Sequence, residues 1–190
     1  AIDATASGSR IPLPVRWNTA LFDASAWNGP SGLAIMAVKN SAEFSYPLPH
    51  IAPIRTPGSY SLPLLIASSI ALDNFRDIDS SLRAFAFAEF GRIEGIRCVA
   101  PEALALPHLF SVVADGVTGE HVVRELAAQG IDIDSGSACS PEDLQPSHVL
   151  AAMGYPTSGH LRFTLHDGVT REEISTLVSA VSTVVQKLRG

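Results

Sequence analysis

Asp134-Ser135-Gly136-Ser137-Ala138-Cys139-Ser140, followed by Pro146-Ser147-His148-Val149-Leu150, is the stretch on which the reading of this chain turns. It sets a cysteine in a loop of small residues between a strand pattern and a helix pattern. Ile131 to Ile133 reads as a short strand entering the Ser-Gly-Ser turn, and Ser147 is a good N-cap for a helix reaching Met153 and stopping at Gly154. Small polar neighbours favour a partly exposed thiol, and exposure with a lowered pKa separates a reactive cysteine from a structural one. An ordinary half-buried cysteine, packed as a small hydrophobe, fits the same spacing, so both readings stand at this level.

Working outward, the last hundred residues alternate between short apolar runs and helical patterns, the signature of an α/β layer domain. Ile96 to Ala100 and Leu109 to Ala114 read as strands, and Glu120 to Gln129 as a helix stopped by Gly130. Thr170 followed by Glu173 is a capping box that opens a final helix to about Leu188. Upstream, Leu64 to about Phe90 carries apolar residues at helical spacing with a break near Asp77 to Ser80, which predicts two helices or one bent helix. Asn40 to Pro63 is proline-rich and predicts an irregular crossing segment, while Leu33 to Val38 is the clearest buried-strand candidate of the N-terminal part.

Composition narrows the function classes. A hydrophobic content of 46% over 190 residues suits a soluble globular protein with a sizeable core. A net charge of −6 provides no electrostatic footprint for nucleic acid or anionic lipid, so neither is an expected partner. The longest apolar stretch, Leu62 to Leu72, is interrupted by Pro63, Ser68 and Ser69 and predicts no membrane span. Two cysteines, Cys98 and Cys139, are too few for a disulfide-stapled scaffold, so a reducing, cytoplasmic setting is expected. Cys98 lies in a predicted strand and reads as core. No metal-ligand pattern is evident. Ala1-Ile2-Asp3-Ala4-Thr5 reads as the end of a buried strand, which suggests that the chain begins inside a larger gene product.

Ser135-Gly136-Ser137-Ala138-Cys139 with Pro146-Ser147-His148-Val149-Leu150 resembles the sulfur-acceptor loop and following helix of the cysteine desulfurases, in the aminotransferase class V superfamily. Leu161-Arg162-Phe163-Thr164-Leu165 is similar to the family strand whose arginine binds the substrate carboxylate. Arginine suits that role because its planar fork can give two charge-assisted hydrogen bonds to one carboxylate. Asp3-Ala4-Thr5 matches the strand end whose aspartate pairs with the pyridine nitrogen of pyridoxal phosphate. Arg55 and Gly58-Ser59 resemble the segment that lends a hydroxyl to the cofactor phosphate of the neighbouring subunit, so Ser59 and Ser25 are further candidate cofactor contacts.

The resemblance implies an α/β fold, the C-terminal half of a PLP-dependent transferase: residues 1–60 a remnant of the large cofactor-binding domain, 61–92 connecting helices, and 93–190 the small α/β domain. It implies a homodimer acting on a small amino acid. In a competent relative cysteine condenses with the cofactor, the thiolate matching Cys139 attacks the substrate sulfur, and alanine leaves with a persulfide on the protein, for delivery to a sulfur-acceptor protein. The pattern departs at the cofactor lysine. Family members carry Ser-x-His-Lys, two residues, then Gly-Pro-x-Gly, whereas this chain reads Ser25-Ala26-Trp27-Asn28-Gly29-Pro30-Ser31-Gly32. Ala6 also replaces the glutamine that contacts the cofactor ring. The two lysines of the chain, Lys39 and Lys187, match no part of the motif. Three readings therefore remain open: a cysteine desulfurase whose parent protein transfers sulfur through Cys139, a degenerate non-catalytic homologue acting as a binding or assembly module, and a class V aminotransferase with another substrate.

Overall fold

Residues 1–47, 49, 59–101, 105–136 and 147–190 are described by the computed structural model. They fall into two units, Ala1–Arg76 and Asp77–Gly190.

In the first unit, β1 (Ile2–Asp3) runs parallel to β2 (Thr19–Asp23), which pairs antiparallel with β3 (Ala34–Val38). The 3₁₀ turn Ala24–Trp27 follows β2 directly, with Asp23 as N-cap. Asn28 then takes a left-handed φ of 61°, and a Cβ on Gly29 would stand 2.8 Å from the Ala24 carbonyl oxygen, so the first glycine of the Gly-Pro-x-Gly element is required by space. Leu33 to Val38 does form a strand, but none of the five residues of β3 is fully buried. Met36 (40% exposed) stands opposite Leu21 (44%), so this apolar face of the sheet lies open. Helix α1 (Leu62–Asn74) is capped by Ser61 and admits Pro63 in its first turn, where a missing N–H costs nothing. Its one fully buried residue is Ser68, while Leu62, Leu65, Ile66, Ile70 and Leu72 are exposed.

The second unit is built on a four-stranded antiparallel sheet in the order β4 (Ile96–Cys98), β5 (Leu109–Ala114), β7 (His160–Thr164), β6 (Asp134–Ser135). Helices α2 (Ser80–Phe90), α3 (Gly119–Ala127) and α5 (Arg171–Arg189) pack on one face of it. Side chains alternate between the faces of a strand, so Phe110, Val112, Leu161 and Phe163 enter the core with Phe87, Phe90, Val122, Leu126 and the Ile174, Val178, Val181, Val185 stripe of α5. Phe110 and Phe163, paired across β5 and β7, stack at 4.9 Å. At the start of β7, a Cβ on Gly159 would fall 1.8 Å from the Ala114 carbonyl oxygen, so glycine lets the two strands meet.

Two helices separated near residue 77 replace the alternative of one bent helix, and the Thr170–Glu173 capping box forms with both reciprocal bonds. Ile131 to Ile133 is not a strand. The Ile131 N–H closes back onto the Leu126 carbonyl at the end of α3, and both isoleucines pack against the core without ladder partners. Pairing with β7 starts only at Asp134. The short helix α4 (His148–Ala152) is capped by Ser147. No helix among the described residues is long and apolar enough to cross a membrane.

Candidate functional site

The register of β6, β7 and β5 decides which side chains share the sheet face opposite the helices. Directly paired residues of an antiparallel ladder project to the same side. Ser111, Arg162 and Asp134 therefore form one row across three strands, and Arg97, Val113 and His160 form the next. Arg162, the candidate carboxylate clamp, donates from Nη2 to Asp134 Oδ2 at 2.9 Å, with its side chain 31% exposed. Four of its five N–H donors have other directions to serve.

His160 is buried (7% exposed) two residues before Arg162, and its Nδ1 has no hydrogen-bond partner. Burial pushes this imidazole below its ordinary pKa and the Arg162 charge adds to that, opposed by a backbone hydrogen bond with Gly136. The net effect favours the neutral ring. Gly136 has a left-handed φ of 74° and follows β6 directly, at the stem of the Ser-Gly-rich loop.

Cys139 lies outside the described residues, as do Arg55 and Gly58. Cys98 packs beside the core on the helix-covered side of β4, with Sγ 3.5 Å from the Phe87 carbonyl oxygen, and burial pushes its thiol pKa up, away from reactivity.

In the first unit, Asp3 ends β1 opposite Leu21, and Asp23 and Ser25 continue β2 in the same direction, so Asp3 and Ser25 occupy the same end of two parallel strands. Ligands of α/β sheets bind at such carboxyl ends. Thr5 donates its hydroxyl to Asp3 Oδ1 at 2.7 Å and its N–H at 3.0 Å, and these bonds hold the carboxyl below its usual range. Ser25 treats Asp23 in the same way, with its hydroxyl 2.6 Å from Oδ1. Ser59 is exposed, ahead of α1.

Lys39, the one lysine of the first unit, does not reach that end. Lys39 follows Val38, which pairs with Thr19 at the opposite end of β2, so five residues of strand, roughly 17 Å, separate it from the level of Asp23. Its Nζ donates to the Val15 carbonyl at 2.7 Å and lies over the Trp17 ring. Lys187 belongs to α5 and pairs with Glu125 at 2.7 Å. The residues present therefore supply a carboxylate and hydroxyls but do not fit a covalently held pyridoxal aldehyde. Among the described residues no cluster of three or more His, Cys, Asp or Glu is placed to hold a metal ion.

The family model for class-V aminotransferases matches residues 55–177, nearly two thirds of the chain. The chain belongs to the aminotransferase class-V family. A cysteine desulfurase of Sinorhizobium fredii is 29% identical over 204 residues, covering 98% of this chain and 52% of its own length. Cysteine desulfurase IscS of Methanosarcina thermophila is 28% identical, covering 99% and 50%. The chain thus spans about half the length of these curated relatives. The fold matches that of a NifS-like protein from Rickettsia africae (TM-score 0.74, 17% identity, 97% of this chain and 52% of that one). It also matches the cysteine desulfurase CsdA from Escherichia coli (TM-score 0.74, 20% identity, 97% and 51%). The mixed α/β architecture expected from the sequence is that of these class-V proteins, and the family is pyridoxal-phosphate dependent.

Two residues of the Arg162 face were not singled out in the sequence. Period-two alternation from Arg162 could have placed His160 on its side. Asp134 carries no such signal, because only the β6–β7 register brings it to a residue 28 positions away.

Proposed function

We propose that this chain is the sulfur-accepting half of a cysteine desulfurase-like protein, in which Arg162 holds the carboxylate of L-cysteine and Cys139 takes up its sulfur as a persulfide. One observation carries the reading: β6 pairs with β7 at Asp134 and Arg162, so the segment leading to Cys139 leaves the sheet beside the guanidinium. Cys139 follows Gly136 in the sequence after only Ser137 and Ala138. Arg162 orients the amino acid by its carboxylate. The thiolate of Cys139 forms the new S–S bond as the Cβ–S bond of the bound cysteine breaks; the electron pair stays with the carbon skeleton, which takes up a proton and leaves as alanine, so no outside oxidant is needed. Pyridoxal phosphate is the group that activates cysteine in this family. Asp3, Ser25 and Ser59 are candidates for noncovalent contacts with it, and the missing lysine leaves that activation outside what these residues supply. The same proposal takes in a homodimer, a sulfur-acceptor protein and a cytoplasmic setting.

The test is incubation of the full-length parent protein with pyridoxal phosphate and L-cysteine, measuring sulfide, alanine and Cys139 persulfide. The proposal expects all three, and loss of the persulfide in Cys139→Ser. A full-length protein that releases neither product overturns it. The absence of a lysine at the Asp3 end favours a second reading, a carrier or assembly module. A colourless protein that collects a persulfide from an added sulfane donor, without producing alanine, decides for that reading.

A further inference from the structure

In this structure Arg162 is already in contact with a carboxylate. Asp134 faces it across β6 and β7, with Oδ2 2.9 Å from Nη2 and its side chain 61% exposed. The pairing makes the place net neutral. A site meant for a bare carboxylate would gain nothing from an acidic side chain beside the guanidinium, because like charges on ligand and protein repel and the arginine is partly satisfied. A free α-amino acid is different chemistry: its carboxylate and its ammonium are adjacent and of opposite sign. An arginine and an aspartate side by side match that pair of charges. Each ligand group meets a side-chain charge of opposite sign, and the four charges alternate around a ring.

Two further observations bear on this face. Oδ1 of Asp134 and the remaining N–H groups of Arg162 are not consumed by the ion pair, so both residues can keep their mutual bond while binding a ligand. His160, two residues along the same face, is more than nine-tenths buried with Nδ1 unpartnered. A buried polar atom without a partner costs stability and calls for an explanation in the local chemistry. Nδ1 itself has almost no accessible surface, so His160 marks the buried floor beside the Arg162–Asp134 pair and is not a contact for the ligand. The neighbouring pair Arg97–Asp115, at 2.6 Å, is the internal contrast: both partners are exposed, and Arg97 lies on β4, two strands away from the β7 strand that carries Arg162.

We propose that Asp134 is a specificity-determining residue, taking the ammonium of a free α-amino acid whose carboxylate Arg162 holds. The inference rests on the assignment of Arg162 as carboxylate clamp and adds a second point of recognition to it. Such a site retains a zwitterion without a covalent bond to a cofactor, which suits a chain with no lysine at the strand ends.

The probes are L-alanine, which has both charges and no thiol, and propionate, which lacks the ammonium. Isothermal titration of the full chain is expected to show alanine at least tenfold tighter than propionate. In Asp134→Asn that preference falls to near unity, with propionate binding as well as before or better, while Asp115→Asn keeps the preference. Asp134→Ser gives the same readout if the asparagine variant folds poorly. Equal affinities in the unaltered protein, or a preference untouched in both Asp134 variants, overturn the role of Asp134 and leave Arg162 standing as a carboxylate clamp. Binding of neither probe overturns both assignments.

Discussion

The indole Nε1 of Trp27 donates to both the carbonyl and the hydroxyl of Ser68, 3.2 Å from each, and so ties the turn before the Gly-Pro-x-Gly element to the middle of α1. Trp27 is 3% exposed and Ser68 2%, so neither group has water as an alternative partner. Trp27→Phe keeps a ring in the site but strands the hydroxyl, and is expected to cost about 1–3 kcal/mol. Ser68→Ala removes one acceptor and leaves the helix carbonyl in place, so its cost is smaller. Hydrogen exchange of α1 amides reads both. Equal protection in Trp27→Phe and the unaltered chain would show that the bond contributes nothing.

Phe163 lies at the centre of the second core, 2% exposed, stacked on Phe110 and 5.1 Å from Phe90. Phe163→Ala is expected to lose about 3–5 kcal/mol, the range for truncating a buried aromatic. Because adjacent residues of β7 point to opposite faces, this change should weaken hydrogen-exchange protection in β5 and β7 at little cost to ligand affinity under conditions where the unit stays folded. A loss of binding with protection intact would contradict that separation of roles.

How much of this was legible in the sequence depended on whether the deciding interaction was local. The capping box of α5 is, since Thr170 and Glu173 are three residues apart and their bonds close within one turn. The strand Leu109–Ala114 is as well, because its apolar run, interrupted only by Ser111, can be satisfied only inside. The strand expected at Ile131 to Ile133 failed because an apolar run can be buried without a ladder. Ile131 and Ile133 pack against the core, whereas the strand begins at Asp134, a residue with no strand propensity that is held by its partner on β7. For the same reason the motif singles out Arg162 as a candidate but gives no sign of its companion Asp134, since their contact exists only through the register of two strands. The buried His160 illustrates a further limit: alternation assigns it a face, but not its depth.

The Thr170 capping box should make the second unit sensitive to acid. Two bonds from Thr170, its N–H first and its hydroxyl second, hold the Glu173 carboxyl below its usual range. A carboxyl whose folded pKa is depressed stabilises the fold above the unfolded value, and that contribution is lost as pH falls through the folded one. The loss therefore lies at and below the ordinary glutamate value, and neutral pH leaves the cap intact. Thr170→Ala removes the hydroxyl bond in both directions, is expected to cost about 1 kcal/mol at neutral pH, and should move the Glu173 titration part of the way back up. Carboxyl NMR titration and thermal melts at neutral and acid pH measure both effects; an unshifted Glu173 in the variant would contradict this account.

Arg162→Lys is the substitution that separates charge from geometry. Lysine preserves the positive charge and can still meet Asp134, but it has no planar fork with which to give a ligand carboxylate two parallel bonds while holding the aspartate. Affinity for L-alanine and for propionate is expected to fall by about tenfold in Arg162→Lys, the order of one lost charge-assisted hydrogen bond, and further in Arg162→Gln. Stability should scarcely move, because a partly exposed cross-strand ion pair contributes only about 0.2–1 kcal/mol. Titration calorimetry beside thermal melts distinguishes the two roles. Unchanged affinity in both variants would make Arg162 a structural partner of Asp134 alone. A large loss of stability with binding retained would assign the pair to the sheet, since the guanidinium would then serve the β6–β7 ladder and not a ligand.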